Sequence, residues 1–114
     1  MTVHRVVPNL FTEDPAAASA FYTDFLGLDV GMEMPGMTTF VVPEVPSAQL
    51  SIGHAYGLDQ AVVSIGVDNV DEIYARAQQQ GLEIVYELRD EPWGVRRFFV
   101  KAPGGHVINV VQHA

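Results

Sequence analysis

The sequence predicts an α+β fold made of two βαβββ modules that form an incomplete barrel around a cleft. Three observations lead to this prediction. An eight-residue block that begins at Gly27 returns at Gly81, 54 residues later in a chain of 114, with the same order of glycine, apolar and acidic positions. Each copy carries one helical apolar stripe that ends at this glycine, and strand-like alternation follows the glycine in both copies. A repeat of this length is a supersecondary unit rather than a solenoid turn.

The first module is predicted to open with a strand over residues 3–11 and a helix over residues 15–26. Asp14 has the side chain of an N-cap and Pro15 suits the first helical position. Gly27 is expected to end the helix in a left-handed conformation. Turns rich in proline and glycine then separate three predicted strands, over residues 28–34, 37–43 and 48–54.

The second module repeats this plan. A strand is predicted over residues 62–67 and a helix over residues 69–80, where Asn69 and Glu72 have capping-box spacing. Gly81 is expected to end this helix. The remaining predicted strands cover residues 83–90, 95–101 and 106–112.

The repeat also predicts the domain organisation. The first module is assigned to residues 1–54, a linker to residues 55–60, and the second module to residues 61–114. The two modules are expected to share one domain, because a chain of this length builds about one compact core.

Composition argues against several classes of protein. The chain has 6 basic and 14 acidic residues, a formal net charge of −8, which opposes nucleic-acid binding because that needs a positive surface. The charge favours either solubility or attraction of a cationic ligand. The chain has no cysteine, which excludes disulfides and zinc–sulfur sites. No run reaches the ~20 apolar residues of a membrane span, and no signal peptide is evident, so we expect a soluble cytoplasmic protein.

Several short motifs carry a resemblance to a known family. They are Phe21-Tyr22, Phe25-Leu26-Gly27 and the segment from Pro92 to Val110, which contains Pro-Trp-Gly, two arginines, two phenylalanines and a Pro-Gly-Gly turn. Together with the repeat, they resemble the glyoxalase / bleomycin-resistance / extradiol dioxygenase superfamily, also called vicinal oxygen chelate proteins. The bleomycin-resistance-like branch is the most similar part of that superfamily.

The resemblance implies homodimers whose modules pair within or across chains, and enzymes that hold one divalent metal ion with His and Glu side chains. Each module supplies one ligand from its first strand and one from its last. Carried over to this chain, the four positions are Val7, Ser51, Val62 and Asn109. Valine has no donor atom, and Ser and Asn are weak neutral ligands. We therefore expect no metal, no cofactor and no catalytic residue at these positions.

The histidines are poor candidates to replace these four residues as metal ligands. Because strand side chains alternate between faces, His4, His54 and His106 are predicted to point away from the cleft. His113 shares the parity of Asn109, but it lies at an end of the chain that we expect to be frayed. Ordinary surface histidines are the favoured interpretation.

The strand positions predicted to face the cleft combine apolar, hydroxyl and amide side chains. The opposite faces carry the larger apolar residues expected beneath the helices. A mixed surface suits a neutral or aromatic ligand recognised by shape and a few hydrogen bonds, whereas a closed core with satisfied polar groups is the alternative. The predicted ligand-binding residues are Val7, Asn9, Phe11, Ser51, Val62, Ser64, Trp93 and Asn109.

The loop around Trp93 has two interpretations. The indole can stack on a flat or cationic ligand, or it can cover the barrel end or a dimer seam. Arg96 and Arg97 alternate faces, so one is predicted to reach the cleft or pair with Glu33 or Glu87, and the other to face solvent.

The favoured function is metal-independent binding of a small organic ligand, aromatic or cationic, in a homodimer cleft. Sequestration of an antibiotic or secondary metabolite, with no bond made or broken, would be its purpose. The alternative is a metal-dependent lyase, isomerase or dioxygenase of the same superfamily. A metal-free enzyme would need an acid–base pair, and no such pair is evident in the sequence.

Overall fold

The computed structural model describes residues 3–54 and 61–114. These residues form eight strands and two α-helices in the order βαβββ, repeated once, so the predicted α+β class and module plan are confirmed. The predicted linker, residues 55–60, lies outside the described residues. The helices are α1 (Pro15–Ala20) and α2 (Val70–Gln79). The strands are β1 (Val3–Phe11), β2 (Asp29–Met34), β3 (Met37–Val42), β4 (Val45–Gly53), β5 (Val63–Val67), β6 (Ile84–Asp90), β7 (Val95–Lys101) and β8 (Val107–His113).

The described residues separate into two compact units. The N-terminal unit contains residues 7–54, and the C-terminal unit contains residues 61–114 together with residues 3–6 at the start of β1. Within the N-terminal unit the strand order is β2-β3-β4-β1, and within the C-terminal unit it is β5-β8-β7-β6. Neither set of strands closes on itself, and β2 and β6 are edge strands.

Each unit pairs its first and last strands in parallel, and its other neighbouring strands are antiparallel. In the N-terminal unit, Asn9 of β1 lies opposite Ser51 of β4. In the C-terminal unit, Ser64 of β5 lies opposite Asn109 of β8. A parallel pair needs a crossover connection, and the intervening helix with its two antiparallel strands supplies it in both units.

The first helix is shorter and more irregular than the sequence predicts. It is α-helical over Pro15–Ala20 and then widens into a π-helical turn over Phe21–Phe25. Its N-terminus is as predicted, because the Asp14 side chain accepts a hydrogen bond from the backbone N–H of Ala17 at 3.0 Å. The predicted end at Gly27 is also confirmed, with a φ of 78° in the left-handed region.

The predicted capping box of α2 is wrong. The Asn69 side chain makes no cap hydrogen bond, and its Nδ2 instead donates to Glu72 Oε2 at 2.7 Å. Gln112 at the end of β8 takes the capping role, since its Oε1 accepts from the backbone N–H of Val70 at 2.9 Å. A residue 42 positions away in sequence thereby satisfies one of the free N–H groups of the first helical turn.

The helix of each unit covers one face of its strands. In the C-terminal unit, Val70 of α2 packs in one core with Val67 and Phe98, all almost fully buried, and the rings of Tyr74 and Phe98 meet edge to face at 4.9 Å. The core of the N-terminal unit includes Phe40, which is 1% exposed. Among the described residues, no helix has the length and apolar character needed to cross a membrane.

Candidate functional site

In each unit, the face of the strands opposite the helix carries a polar pair. We call it the helix-free face. In the N-terminal unit, the hydroxyls of Thr39 and Ser51 are hydrogen-bonded at 3.0 Å. In the C-terminal unit, Asn109 Nδ2 donates to Ser64 Oγ at 3.0 Å. The helix-free face of the C-terminal unit also carries, by strand register, Gly66, Tyr86, Arg97, Phe99, Val111 and His113.

Four of the predicted ligand-binding residues belong to the N-terminal unit. Val7, Asn9 and Ser51 are buried, with 4%, 7% and 5% of their surface exposed. Phe11 is more exposed, and its ring covers Gly53, the residue opposite it on β4. The structure therefore groups these positions on one side of β1 and β4, as the alternation of strand side chains predicts.

The other four belong to the C-terminal unit. Ser64 and Asn109 are in direct contact, and Asn109 is only 8% exposed. Val62 precedes β5 and is exposed. Trp93 lies in the turn between β6 and β7 and is 49% exposed. The role of all eight residues in binding stays a prediction.

Beside Asn109, the helix-free face bears a cluster that the sequence analysis did not assemble. We call Tyr86, Glu91, Trp93, Arg97 and Phe99 the aromatic–arginine cluster. The rings of Tyr86 and Phe99 are stacked at 4.8 Å. The Arg97 guanidinium lies 4.9 Å from the ring centroid of Phe99 and 5.1 Å from that of Trp93. Such cation–π contacts hold a flat aromatic surface in place.

Glu91 holds this cluster together. Its Oε2 accepts hydrogen bonds from Tyr86 Oη at 2.6 Å and from Arg97 Nε at 2.7 Å, and its side chain is 7% exposed. Burial raises the pKa of Glu91, but the hydrogen bonds from Tyr86 and Arg97 and the charges of Arg97 and Arg89 outweigh burial, so the pKa lies below its ordinary value. The carboxylate stays ionised and compensates the Arg97 charge.

The two arginines lie on opposite faces, as the alternation of strand side chains predicts, but neither pairs with Glu33 or Glu87. Arg97 does face the helix-free side, but it pairs with Glu91 rather than with Glu33 or Glu87. Arg96 faces the other way and pairs with Asp71 at 2.9 Å and with Asp90 at 3.3 Å. Asp71 lies in the first turn of α2, and Asp90 ends β6, where the register with β7 places it opposite Arg96.

His113 and Arg5 form a contact that sequence reasoning missed. Arg5 Nη2 lies 2.9 Å from His113 Nδ1. The prediction of a frayed end at His113 is wrong, because His113 ends β8 and is paired in register with Val95 of β7. Burial lowers the pKa of His113, and the nearby charges of Arg5 and His4 lower it further, so the neutral imidazole is favoured. Strand alternation does place His113 on the face of Asn109, and this is the one signal that pointed to it.

A cavity of about 280 Å³ lies at the end of β7 and β8 in the C-terminal unit. Carboxylates and Arg96 contribute to its lining, and two of those carboxylates, Asp71 and Asp90, are already paired with Arg96. The lining residues are Asp71, Asp90, Glu91, Gly94, Val95, Arg96, Gln112, His113 and Ala114.

The protein is therefore a small α+β protein built from two βαβββ units, each with a polar pair on its helix-free face. The family model described as "Glyoxalase/Bleomycin resistance protein/Dioxygenase superfamily" matches residues 2–110, and the chain belongs to this superfamily. No curated protein is significantly similar to it in sequence.

Several solved structures share the fold. A superfamily member from Vibrio splendidus 12B01 is 21% identical with a TM-score of 0.71, and the match covers 97% of this chain and 99% of that one. Methylmalonyl-CoA epimerase from Mycobacterium tuberculosis is 24% identical with a TM-score of 0.66, over 98% and 87% of the two chains. A methylmalonyl-CoA epimerase in complex with methylmalonyl-CoA and NH4+ is 20% identical with a TM-score of 0.74, over 99% and 96%. At these identities the likeness shows the fold alone.

The residues at the superfamily's metal-ligand positions do not fit a divalent ion. Val7 and Val62 have no donor atoms, the Ser51 hydroxyl is bonded to Thr39, and the Asn109 amide is bonded to Ser64. Within residues 3–54 and 61–114, no three His, Asp or Glu side chains converge on a point where they could hold a metal ion. Neutral hydroxyl and amide groups do not replace the imidazole and carboxylate ligands that transition metals prefer.

Proposed function

We propose that this protein binds a small organic ligand on its helix-free faces without using a metal ion. Sequestration of an antibiotic or secondary metabolite is the purpose that we favour. One observation carries the proposal: hydrogen-bonding groups, Ser51 and Asn109, stand where the superfamily's enzymes have metal ligands, and Val7 and Val62 complete the set. Such a surface offers shape and hydrogen bonds, which serve binding, and offers no Lewis acid.

The aromatic–arginine cluster supports a ligand with a flat, unsaturated body. Phe99 lies opposite Asn109 across β7 and β8, and its ring is stacked on Tyr86. An aromatic ligand placed over this pair would gain stacking contacts while its polar groups reach the amide of Asn109. Trp93, half exposed at the rim, can close over such a ligand.

The ligand can also be a cation rather than a neutral compound. The net charge of −8 supports it, because an acidic protein raises the local concentration of cations. Association of a cation with this protein would slow as salt is added, whereas association of a neutral ligand would not.

We further propose that the protein acts as a homodimer in the cytoplasm. The edge strand β2 exposes Val30 and Met32, with 44% and 48% of their surface accessible. Exposed apolar edges are commonly covered by association. Sedimentation across a hundredfold range of concentration should give a dimer mass, and a monomer at every concentration would contradict this part of the proposal.

The alternative function is a metal-dependent lyase, isomerase or dioxygenase. Superfamily membership and the fold shared with two methylmalonyl-CoA epimerases favour it. Metal analysis and melting curves distinguish the two functions. A site that binds a divalent ion in the native state raises the melting temperature when that ion is added, so a stoichiometric ion with such a shift would support the enzyme.

The experiment that tests the binding function is a thermal-shift screen with aromatic compounds, followed by variants of Asn109 and Trp93. A ligand present at 100 times its dissociation constant should add about 2.7 kcal/mol to the free energy of unfolding. Asn109→Ala and Trp93→Ala should each weaken binding by roughly 1–3 kcal/mol.

Ile108→Val is the matched control for Asn109→Ala. Ile108 neighbours Asn109 on β8 but packs beneath α2 on the opposite face, so this change should alter stability and leave affinity unchanged. Trp93 is the one tryptophan of the chain, and its fluorescence should respond to the same ligand. A ligand whose affinity ignores both Asn109→Ala and Trp93→Ala would place its site elsewhere.

A further inference from the structure

We propose that the ligand of the C-terminal helix-free face carries a carboxylate, and that Arg5 is the residue that binds it. This inference rests on the proposed binding function and adds the chemical class of the ligand. Two groups on this face carry it: the Arg5 guanidinium and the Asn109 side-chain carbonyl. They offer a donor and an acceptor that the described part of the protein leaves unused.

Arg5 carries a positive charge with no acidic partner among residues 3–54 and 61–114. Ion pairs within these residues join Arg96, Arg97 and Lys101 to carboxylates, and Arg5 is not among them. Its Nη2 contacts the imidazole of His113, and its Nε is buried without a hydrogen-bond partner in the described residues. Partly buried guanidinium groups are normally paired with an acid, because an uncompensated charge away from water is costly.

Gly66 allows Arg5 to lie close against β5. A Cβ atom at Gly66 would stand 3.2 Å from Arg5 Cβ and 3.3 Å from its Nε. Because Gly66 lies opposite Val111 on β8, the Arg5 side chain is placed on the helix-free face. The missing side chain at Gly66 is what leaves room for the guanidinium there.

Asn109 supplies the second point of attachment. Its Nδ2 is used by Ser64, but its Oδ1 is buried without a hydrogen-bond partner in the described part of the chain. The whole residue is 8% exposed, so the unused acceptor is a costly feature for stability alone. A ligand hydroxyl or amine that donates to Oδ1 would remove this cost.

The spacing of the two groups limits the shape of the ligand. Gly66, beside Arg5, lies two residues along β5 from Ser64, which binds Asn109. Two residues of strand span roughly 7 Å. A benzene ring with a carboxylate and a hydroxyl at opposite ends separates its polar groups by a comparable distance. The carboxylate matches the planar fork of the guanidinium, and the hydroxyl can donate to Asn109 Oδ1.

The distribution of charge along the chain is compatible with an anion at this place. Residues 7–54 contain six acidic residues and no Lys or Arg. All 6 basic residues of the chain belong to the C-terminal unit. Most of the net charge of −8 therefore belongs to the N-terminal unit. It does not make the C-terminal helix-free face acidic.

The test is an NMR titration with three compounds of matched shape: 4-hydroxybenzoate, 4-hydroxybenzamide and 4-hydroxybenzylamine. They differ at one position, where they carry a negative, a neutral and a positive group. The side-chain resonances of His113 and Asn109 report on the two ends of the site. We expect 4-hydroxybenzoate to bind at least tenfold more tightly than the amide, with the amine the weakest.

Variants assign the preference to Arg5. Arg5→Gln should abolish the difference between the acid and the amide while amide binding persists, which also shows that the variant is folded. Arg5→Lys should retain part of the preference, because a lysine keeps the charge and loses the planar fork. Lys101→Gln is the control, since it removes one positive charge from the same unit without touching Arg5 or Asn109.

The outcomes separate this inference from the function on which it rests. Equal affinity for the acid and the amide, or a preference for the amine, overturns the carboxylate assignment and leaves small-molecule binding intact. A preference for the acid that survives Arg5→Gln overturns the role of Arg5. If none of the three compounds moves the His113 or Asn109 resonances, both the inference and the proposed binding face are wrong.

Discussion

The ring of Phe11 lies directly over Gly53, its neighbour across the parallel strands β1 and β4. A Cβ atom at Gly53 would stand 2.5 Å from two carbons of that ring, well inside contact distance. The missing side chain lets the ring of an aromatic residue of β1 approach the backbone of β4 closely. The position of one predicted ligand-binding residue thus depends on a glycine that carries no chemistry of its own.

Gly53→Ala should therefore destabilise the protein by roughly 1–3 kcal/mol, the usual cost of forcing a side chain out of a well-packed position. The measurement is the urea midpoint of unfolding. In a Phe11→Ala background the same change should cost much less, because the clash is gone. Additive effects of the two substitutions would show that the ring and the glycine are not coupled.

Gln112→Ala should lower the free energy of unfolding by about 1 kcal/mol, as the loss of an N-cap side chain commonly does. The reason is that Val70 N–H, at the start of α2, would lose its acceptor. Asn69→Ala is the matched comparison and should cost less, because the Asn69 side chain makes no cap hydrogen bond. A larger loss from Asn69→Ala would restore the capping box predicted from the sequence.

Glu91→Gln should destabilise the protein at neutral pH by about 2 kcal/mol, the typical contribution of hydrogen bonds to a charged group. The substitution should also change the response to acid. The pKa of Glu91 lies below its ordinary value of 4.5 in the folded protein, so its stabilisation is present above pH 4.5 and is lost as the pH falls through the folded-state pKa.

Denaturant titrations between neutral and acidic pH test this dependence. The variant Glu91→Gln should lose less stability than the wild type as the pH falls below 4.5. Glu87→Gln, an exposed acid on the same strand, serves as the control and should behave like the wild type. Parallel pH profiles for wild type and Glu91→Gln would contradict the structural role of this carboxylate.

His113 should make the protein less stable in mild acid. Its pKa lies below 6.5 in the folded state, so the unfolded chain binds a proton first as the pH falls. Stability therefore declines from about pH 6.5 downward and stops declining below the folded-state pKa. His113→Gln should flatten this part of the profile of melting temperature against pH, whereas His106→Gln, in the exposed turn before β8, should not.

The sequence anticipated the strand face on which Ser51, Ser64 and Asn109 lie, because these residues belong to regular strands. On β1, β4, β5 and β8 the side chains alternate without interruption through the relevant residues, so parity alone assigns Asn109 to one face and Ile108 to the other. The helix boundaries at Asp14 and Gly27 were equally accessible, because caps depend on residues adjacent in the chain.

Strand β6 shows where such reasoning fails. Regular alternation would place Ile84, Tyr86 and Leu88 on one face, yet Ile84 and Leu88 pack with the core and Tyr86 lies opposite Phe99. Irregularities in the register on both sides of Tyr86 turn its ring to the helix-free face. A bulge re-aims a side chain in this way, and no local pattern in the sequence marks these bulges.

By itself, the sequence determined the two-module plan, the order of the elements, the glycine ends of the helices and the faces of the regular strands. These features depend on periodicity and on neighbouring residues. Only the tertiary structure decided that Gln112 caps α2, that Glu91 binds Arg97, and that Arg5 meets His113. Those contacts join residues that are distant in sequence or separated by irregular turns, and their formation depends on strand register and packing space rather than on local preference.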